Sequence, residues 1–313
     1  MESIMAVTIN AKAVAALRAK TGCGMMECKK ALVETEGDEE KAIKVLREKG
    51  LATAAKKADR IAAEGMVDIL RDGNRVAMIE VNSETDFVAK NDEFKSFVRG
   101  LLATILAENP ADVEALKACR FNGSDITVAD KLVEMIATIK ENMSIRRFVT
   151  AEGYMSTYIH GNGQTGVIVL FDTTDDVAAN AKFPEVSKNV ALQVAAMNCQ
   201  YTNKEDVPES VYNEEKEIQL TQMKNDPKNA TKPAQILEKM ITGKMGKFYE
   251  QICLAEQAYV KDDSMSVKKY LETEGKEMGG KLVVKSFLRY EKGEGLQKRE
   301  DNFAEEIANM VKG

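Results

Sequence analysis

Arg75-Val-Ala-Met-Ile-Glu-Val-Asn-Ser-Glu-Thr-Asp-Phe-Val88 is a strand-like apolar run that closes in a polar cluster, with an acid and an aromatic ring, Asp86 and Phe87, at the turn that follows. A strand pattern ending this way is expected to place its last residues at a sheet edge, where side chains face outward. A Phe in that position needs something to cover it.

The chain carries a second, diverged copy of the same unit. Ala63-Glu-Gly-Met-Val-Asp-Ile-Leu70 answers to Ala151-Glu-Gly-Tyr-Met-Ser-Thr-Tyr-Ile159, and each is followed by a Gly/Asn-rich turn, Arg71 to Asn74 in one and His160 to Gly163 in the other. A second apolar run then ends in Thr85-Asp86-Phe87-Val88 or in Thr174-Asp175-Asp176-Val177. Hairpin followed by helix, written twice, points to an α+β fold with a duplicated α/β core and small antiparallel sheets. Phe87 has Asp176 as its counterpart, so the unit does not require an aromatic there, which favours a role in contact over one in packing. The competing and commoner role for a lone Phe is to fill the gap beneath the next helix.

With 313 residues the chain has room for two or three compact units, and 5 Pro with 6% aromatics suit a helix-rich protein. A net charge of -6 argues against a surface that tracks nucleic-acid phosphates. The longest basic clusters, Lys56-Lys57 and Arg146-Arg147, read as solvated helix surface. The 5 cysteines, at 23, 28, 119, 199 and 253, form no Cys-x-x-Cys pair, and there is 1 His, so no zinc site is expected and the thiols suit a reducing cytosol. No apolar run approaches the ~20 residues that span a bilayer. The expectation is a cytoplasmic protein without cofactor or metal.

Taken in order, Thr8 is the expected N-cap of a helix through Lys20 with Val14 and Leu17 on one face, broken at Gly22 to Gly24. A second helix spans Met25 to Thr35, and a third turns Ile43, Val45 and Leu46 inward and closes at Gly50. These make a small three-helix module over 1–55, with Met25 and Met26 at an exposed helix start, where paired methionines suit an adaptable contact surface. A linking helix is expected from Leu51 to Ala62. Core half one, 56–148, adds helices over Glu93 to Glu108, Val113 to Cys119 and Ala129 to Glu141. Core half two, 149–286, has a helix from Pro184 to Met197 and a protruding antiparallel helical hairpin over about 207–255, with Leu237, Ile241, Met245, Phe248 and Ile252 as its apolar seam. A helix near Val267 to Met278, a strand Lys281 to Tyr290 and, in a C-terminal module over 287–313, a helix Asn302 to Val311 complete the chain.

Gly275-Lys-Glu-Met-Gly-Gly-Lys-Leu282 has the spacing of a phosphate-binding loop but lacks its Ser/Thr, and it runs from helix to strand rather than strand to helix. His160 has no Ser or Cys in a nucleophile setting beside it, so no catalytic triad is proposed. The residues offer no enzyme chemistry.

Four stretches, Arg18-Ala-Lys-Thr-Gly-Cys-Gly-Met-Met-Glu-Cys-Lys-Lys-Ala-Leu32, Glu80-Val-Asn-Ser-Glu-Thr-Asp-Phe-Val-Ala-Lys90, Asn142-Met-Ser-Ile-Arg-Arg147 and Tyr158-Ile-His-Gly161, together resemble the bacterial elongation factor Ts family. The resemblance implies a ubiquitin-associated-like N-terminal module, a core of two related halves, a coiled-coil hairpin, and exchange of guanine nucleotide on the GTPase elongation factor Tu (EF-Tu). It implies that Thr85, Asp86, Phe87 and Val88 form the segment that enters the GTPase near its magnesium site. It further implies that Arg18, Met25, Met26 and Lys29 dock the small bundle on the same partner and that His160 sits at the core interface. A non-catalytic adaptor acting through 1–55 alone stays open as the alternative.

Overall fold

Asn10 starts the first helix by accepting from the Ala13 amide at 2.7 Å, and Gly22, left-handed at φ 65°, ends it, giving α1 (Ala11–Thr21). The computed structural model describes residues 9–229 and 232–297, so the expected cap Thr8 and the expected helix Asn302 to Val311 lie outside the described residues. With α2 (Met25–Glu34) and α3 (Glu39–Lys57), α1 encloses a small core of Val14, Leu17, Cys28, Leu32, Ala42 and Leu46. Ile43, expected inside, is 37% exposed, and Ala42 takes the inward place. Gly50 does not close α3. A Cβ on it would stand 3.2 Å from Val133 Cγ1, so the glycine lets a later helix approach closely while α3 continues to Lys57. The expected linking helix is therefore the last turns of α3, and 58–63 are non-helical.

β1 (Glu64–Asp72) and β2 (Arg75–Ser83) pair antiparallel from Glu64↔Ser83 to Asp72↔Arg75 around the tight Gly73-Asn74 turn. Next come α4 (Asp86–Lys90), α5 (Asp92–Glu108), α6 (Val113–Ala118), α7 (Val128–Ile139) and β3 (Met143–Glu152). The sheet order is β1-β2-β3. β2 is thus central, and Val76 to Ser83 is buried throughout, which corrects the expected sheet edge: the chain turns outward only beyond the end of a covered strand. Ile79, Val81, Val88, Phe94, Phe97, Leu101, Ile105 and Met135 share the core of this unit.

Arg146 and Arg147 are not solvated helix surface. They lie on β3 and hold the fully buried carboxylate of Glu80, Arg146 Nη1 at 2.8 Å and Arg147 Nε at 2.7 Å. Asn82 Nδ2 and the Gly293 amide complete the set at 3.1 and 2.8 Å.

β4 (Tyr154–His160) and β5 (Thr165–Thr173) repeat the antiparallel hairpin. They are followed by α8 (Asp175–Ala178), α9 (Phe183–Ala196), α10 (Glu209–Asn225), α11 (Ala234–Ile252), β6 (Ala258–Tyr259), β7 (Asp262–Ser266), α12 (Val267–Glu277) and β8 (Leu282–Glu291). The second sheet has the order β4-β5-β8, with β6-β7 a separate two-stranded piece. Each copy therefore includes a third strand, β3 or β8, that extends the duplication beyond hairpin and helix. In α10 and α11, Tyr212 stacks on Tyr249 at 6.0 Å while Gln219 Oε1 accepts from Lys244 Nζ at 2.8 Å, a register that rises on one helix as it falls on the other. The helices are antiparallel, sealed by Met223, Leu237, Ile241, Met245 and Phe248. Two compact units result: residues 9–151 with 162–164 and 291–297, and 152–161 with the described part of 165–290.

Candidate functional site

The geometry of α4 follows from one buried residue. Val88 is 5% exposed and packed into the core, and the helical turn carries its neighbour away from that core, leaving Phe87 75% exposed. In α8 the same spacing buries Val177 and exposes Asp176, so this helix position faces solvent in both copies. Among the described residues, the large apolar ring on this position is left mostly uncovered.

Asp86 is exposed beside it. Lys90, one turn on, lies 2.7 Å from Asp86 Oδ2 and 5.4 Å from the centre of the Phe87 ring. That hydrogen bond holds the Asp86 carboxyl below the usual carboxylate range. The pair is open to water on both sides and is weakly held, so Asp86 can change partners.

Thr85 is tied down rather than presented. Its amide and hydroxyl donate to the two carboxylate oxygens of Glu141 at 2.9 and 2.7 Å, and its carbonyl accepts from Ser83 Oγ at 3.0 Å. The four residues 85–88 thus divide: Asp86 and Phe87 are offered to solvent, while Val88, expected to act in contact, is an anchor in the core and Thr85 a fixed hinge. Glu141, 56 positions away in sequence, is invisible to motif reading because nothing local connects it with Thr85.

Arg18 on the last turn of α1, and Met25, Met26 and Lys29 on the first turns of α2, are all exposed, Met26 at 62%. Gly24, the N-cap of α2, is served by Glu27, which accepts from its amide and also binds Lys140 Nζ at 2.9 Å. His160 closes β4 in the second unit, exposed, with its Nδ1 3.1 Å from the Tyr158 hydroxyl. Gly275 and Gly280 of the near phosphate loop are packing residues: a Cβ on Gly275 of α12 would lie 2.9 Å from the Leu282 amide at the start of β8, and one on Gly280 would lie 2.7 Å from Val177 Cγ2. Among the described residues no group of His, Cys, Asp and Glu suits a metal ion, and no helix is long and apolar enough to cross a membrane.

A family model described as Elongation factor TS matches residues 84–294. The elongation factor Ts of Syntrophotalea carbinolica is 46% identical over 309 residues, covering 97% of this chain and 99% of that protein. Those of Clostridium perfringens and Clostridium kluyveri are 45% and 43% identical over 310 and 311 residues, covering 96% and 97% of this chain and 99% of each relative. Matched by the family model over more than half its length and by these relatives almost from end to end, the chain belongs to the elongation factor Ts family.

Proposed function

We infer that this protein is a guanine nucleotide exchange factor of translation elongation, which binds EF-Tu in its GDP state and promotes GDP release without covalent chemistry of its own. The observation that carries this reading is Phe87, a ring with 75% of its surface in water on a helix anchored from beneath. An exchange factor works by binding the nucleotide-free GTPase better than the loaded one, and linkage makes the effect reciprocal. Weakening GDP by about ten-thousandfold takes roughly 5.5 kcal/mol of differential contact. Covering the exposed part of one Phe ring, about 150 Å² at ~25 cal/mol/Å², supplies roughly 4 kcal/mol before ordering costs. The wedge is the right size to dominate, and docking surfaces must supply the rest.

For that docking, the proposed surfaces are the ubiquitin-associated-like bundle of α1 to α3 through Arg18, Met25, Met26 and Lys29, and His160 in the second core half. The α10–α11 pair acts as a coiled-coil hairpin. Asp86 acts by like-charge repulsion toward phosphate or by competing for the magnesium shell once it leaves Lys90.

The test is release of a fluorescent GDP from EF-Tu. The wild-type protein should accelerate it, and Phe87→Ala should slow the accelerated rate by about a hundredfold or more while leaving the circular dichroism spectrum unchanged, since an exposed ring contributes little to the fold. Undiminished exchange by Phe87→Ala defeats the reading.

A further inference from the structure

We propose that Glu141 is a positioning residue for exchange: its carboxylate receives the amide and the hydroxyl of Thr85 and so fixes the direction in which α4 presents Asp86 and Phe87. Five residues cannot hold a helix direction unaided, because so short a helix has almost no internal hydrogen bonds. Thr85 is the N-cap of α4 yet makes no cap bond with its own side chain. The turn is held instead from α7, where Lys140, left-handed at φ 67°, reverses the chain and delivers Glu141. Its two oxygens meet the Thr85 amide and hydroxyl at 2.9 and 2.7 Å. One residue back on the first segment and one forward on the second, the exchange runs the other way: Glu84 Oε1 accepts from the Asn142 amide at 2.6 Å. Two acids on two segments each grip the other segment's backbone, and such charge-assisted bonds are the strong ones.

The second copy is an internal control. Counting back from Val88 and Val177, Glu84 and Thr85 correspond to Thr173 and Thr174. Counting back from the starts of β3 and β8, Glu141 and Asn142 correspond to Gly280 and Lys281. The outer pair is kept in another form, since Thr173 Oγ1 donates to the Lys281 carbonyl at 2.7 Å. The inner pair is not. Gly280 stands where Glu141 stands, and a Cβ on it would lie 3.3 Å from Thr174 Oγ1. The same two segments approach in both copies, but a carboxylate clamps the threonine only in the copy that carries the exposed ring. A clamp needed merely to close this turn would be needed twice.

The proposal rests on the exchange reading, and the experiment separates the two. With the full chain and GDP-loaded EF-Tu, Glu141→Ala should lower the saturating rate of GDP release by about ten- to hundredfold, the worth of a hydrogen bond to a charged group. The half-saturating concentration should hardly change, because the docking residues are untouched. Glu141→Gln keeps the size and one acceptor oxygen, should fall between, and serves where Glu141→Ala does not fold. In a Phe87→Ala background, Glu141→Ala should add clearly less than its full effect, since no ring is left to aim and only Asp86 remains. An unchanged rate, or a full additional loss in that background, overturns the proposal. Amide hydrogen exchange at Thr85 in the free protein should quicken in Glu141→Ala, and unchanged protection overturns the clamp without reference to any GTPase. A wild-type chain that leaves GDP release unaccelerated overturns the exchange reading and the positioning role with it, and the amide measurement then reports on the clamp alone.

Discussion

Among the described residues, Glu80 is the carboxylate bound by the most donors. Its carboxylate has no exposed surface, yet it accepts from Arg146, Arg147, Asn82 and the Gly293 amide. Burial pushes its pKa up, but the four donors outweigh burial and hold it below the usual carboxylate value. Gly293 can offer its amide because, at φ 71°, a Cβ would lie 2.4 Å from the Ala63 carbonyl. A depressed folded pKa means the stabilisation is fully present above the unfolded value of about 4.3 and is lost as pH falls through the lower folded one. Glu80→Gln should therefore cost about 3 kcal/mol at pH 7, by leaving two arginines without their counter-charge, and the gap to wild type should narrow below about pH 4. Urea midpoints for both proteins at pH 7 and pH 3.5 check this, and a gap as wide at pH 3.5 as at pH 7 removes the ionised carboxylate from the explanation. None of it was legible in Glu-Val-Asn-Ser or Ile-Arg-Arg, whose residues lie 66 apart and are joined only by the sheet.

At the scale of elements, what was legible was local. Asn91, Asp112 and Thr127 each cap a helix by accepting from amides two or three residues on, a signal written within a few positions, so α5, α6 and α7 were readable to within a residue or two. The third strands were not recognised as sheet partners, because pairing of β3 beside β2 and of β8 beside β5 is long-range and leaves no periodicity. A glycine misled for a similar reason. Gly50 reads as a stop and is a contact. Gly100 inside α5, to which no expectation attaches, is a closer contact still: a Cβ there would fall 2.2 Å from Phe121 Cζ, on a ring that stacks against Phe97 at 5.7 Å. In an open helix Gly→Ala would stabilise by about 1 kcal/mol. Here the displaced ring should reverse the sign, and Gly100→Ala should destabilise by about 1–2 kcal/mol. With Phe121→Ala also present, the alanine should become neutral or favourable, as expected of coupled neighbours. Thermal unfolding of the four proteins of this cycle decides it, and a higher midpoint for Gly100→Ala alone would mean the ring moves without cost.

Across the whole molecule, duplication sets up a contrast that neither copy shows by itself. Both copies bury a valine, expose the residue before it and place an acid before that, so the scaffold alone does not select the copy proposed to act in exchange. The acid differs in its freedom. Asp175 accepts from the Tyr154 hydroxyl, whereas the residue matching Tyr154 in the first copy is Met66, and Asp86 pairs with the solvated Lys90. The hinge differs as well, since Gly280 cannot grip Thr174 as Glu141 grips Thr85. If exchange needs a ring that is aimed and an acid that can be released, moving the ring must not move the activity. Asp176→Phe introduced into the Phe87→Ala protein should fold, because position 176 is exposed, and should leave GDP release at the rate of Phe87→Ala alone. Recovery of half or more of the wild-type rate would show that any exposed ring on either copy suffices. The carboxylate clamp and the releasable acid would then have no part in the mechanism, and the asymmetry between the copies would be one of composition only.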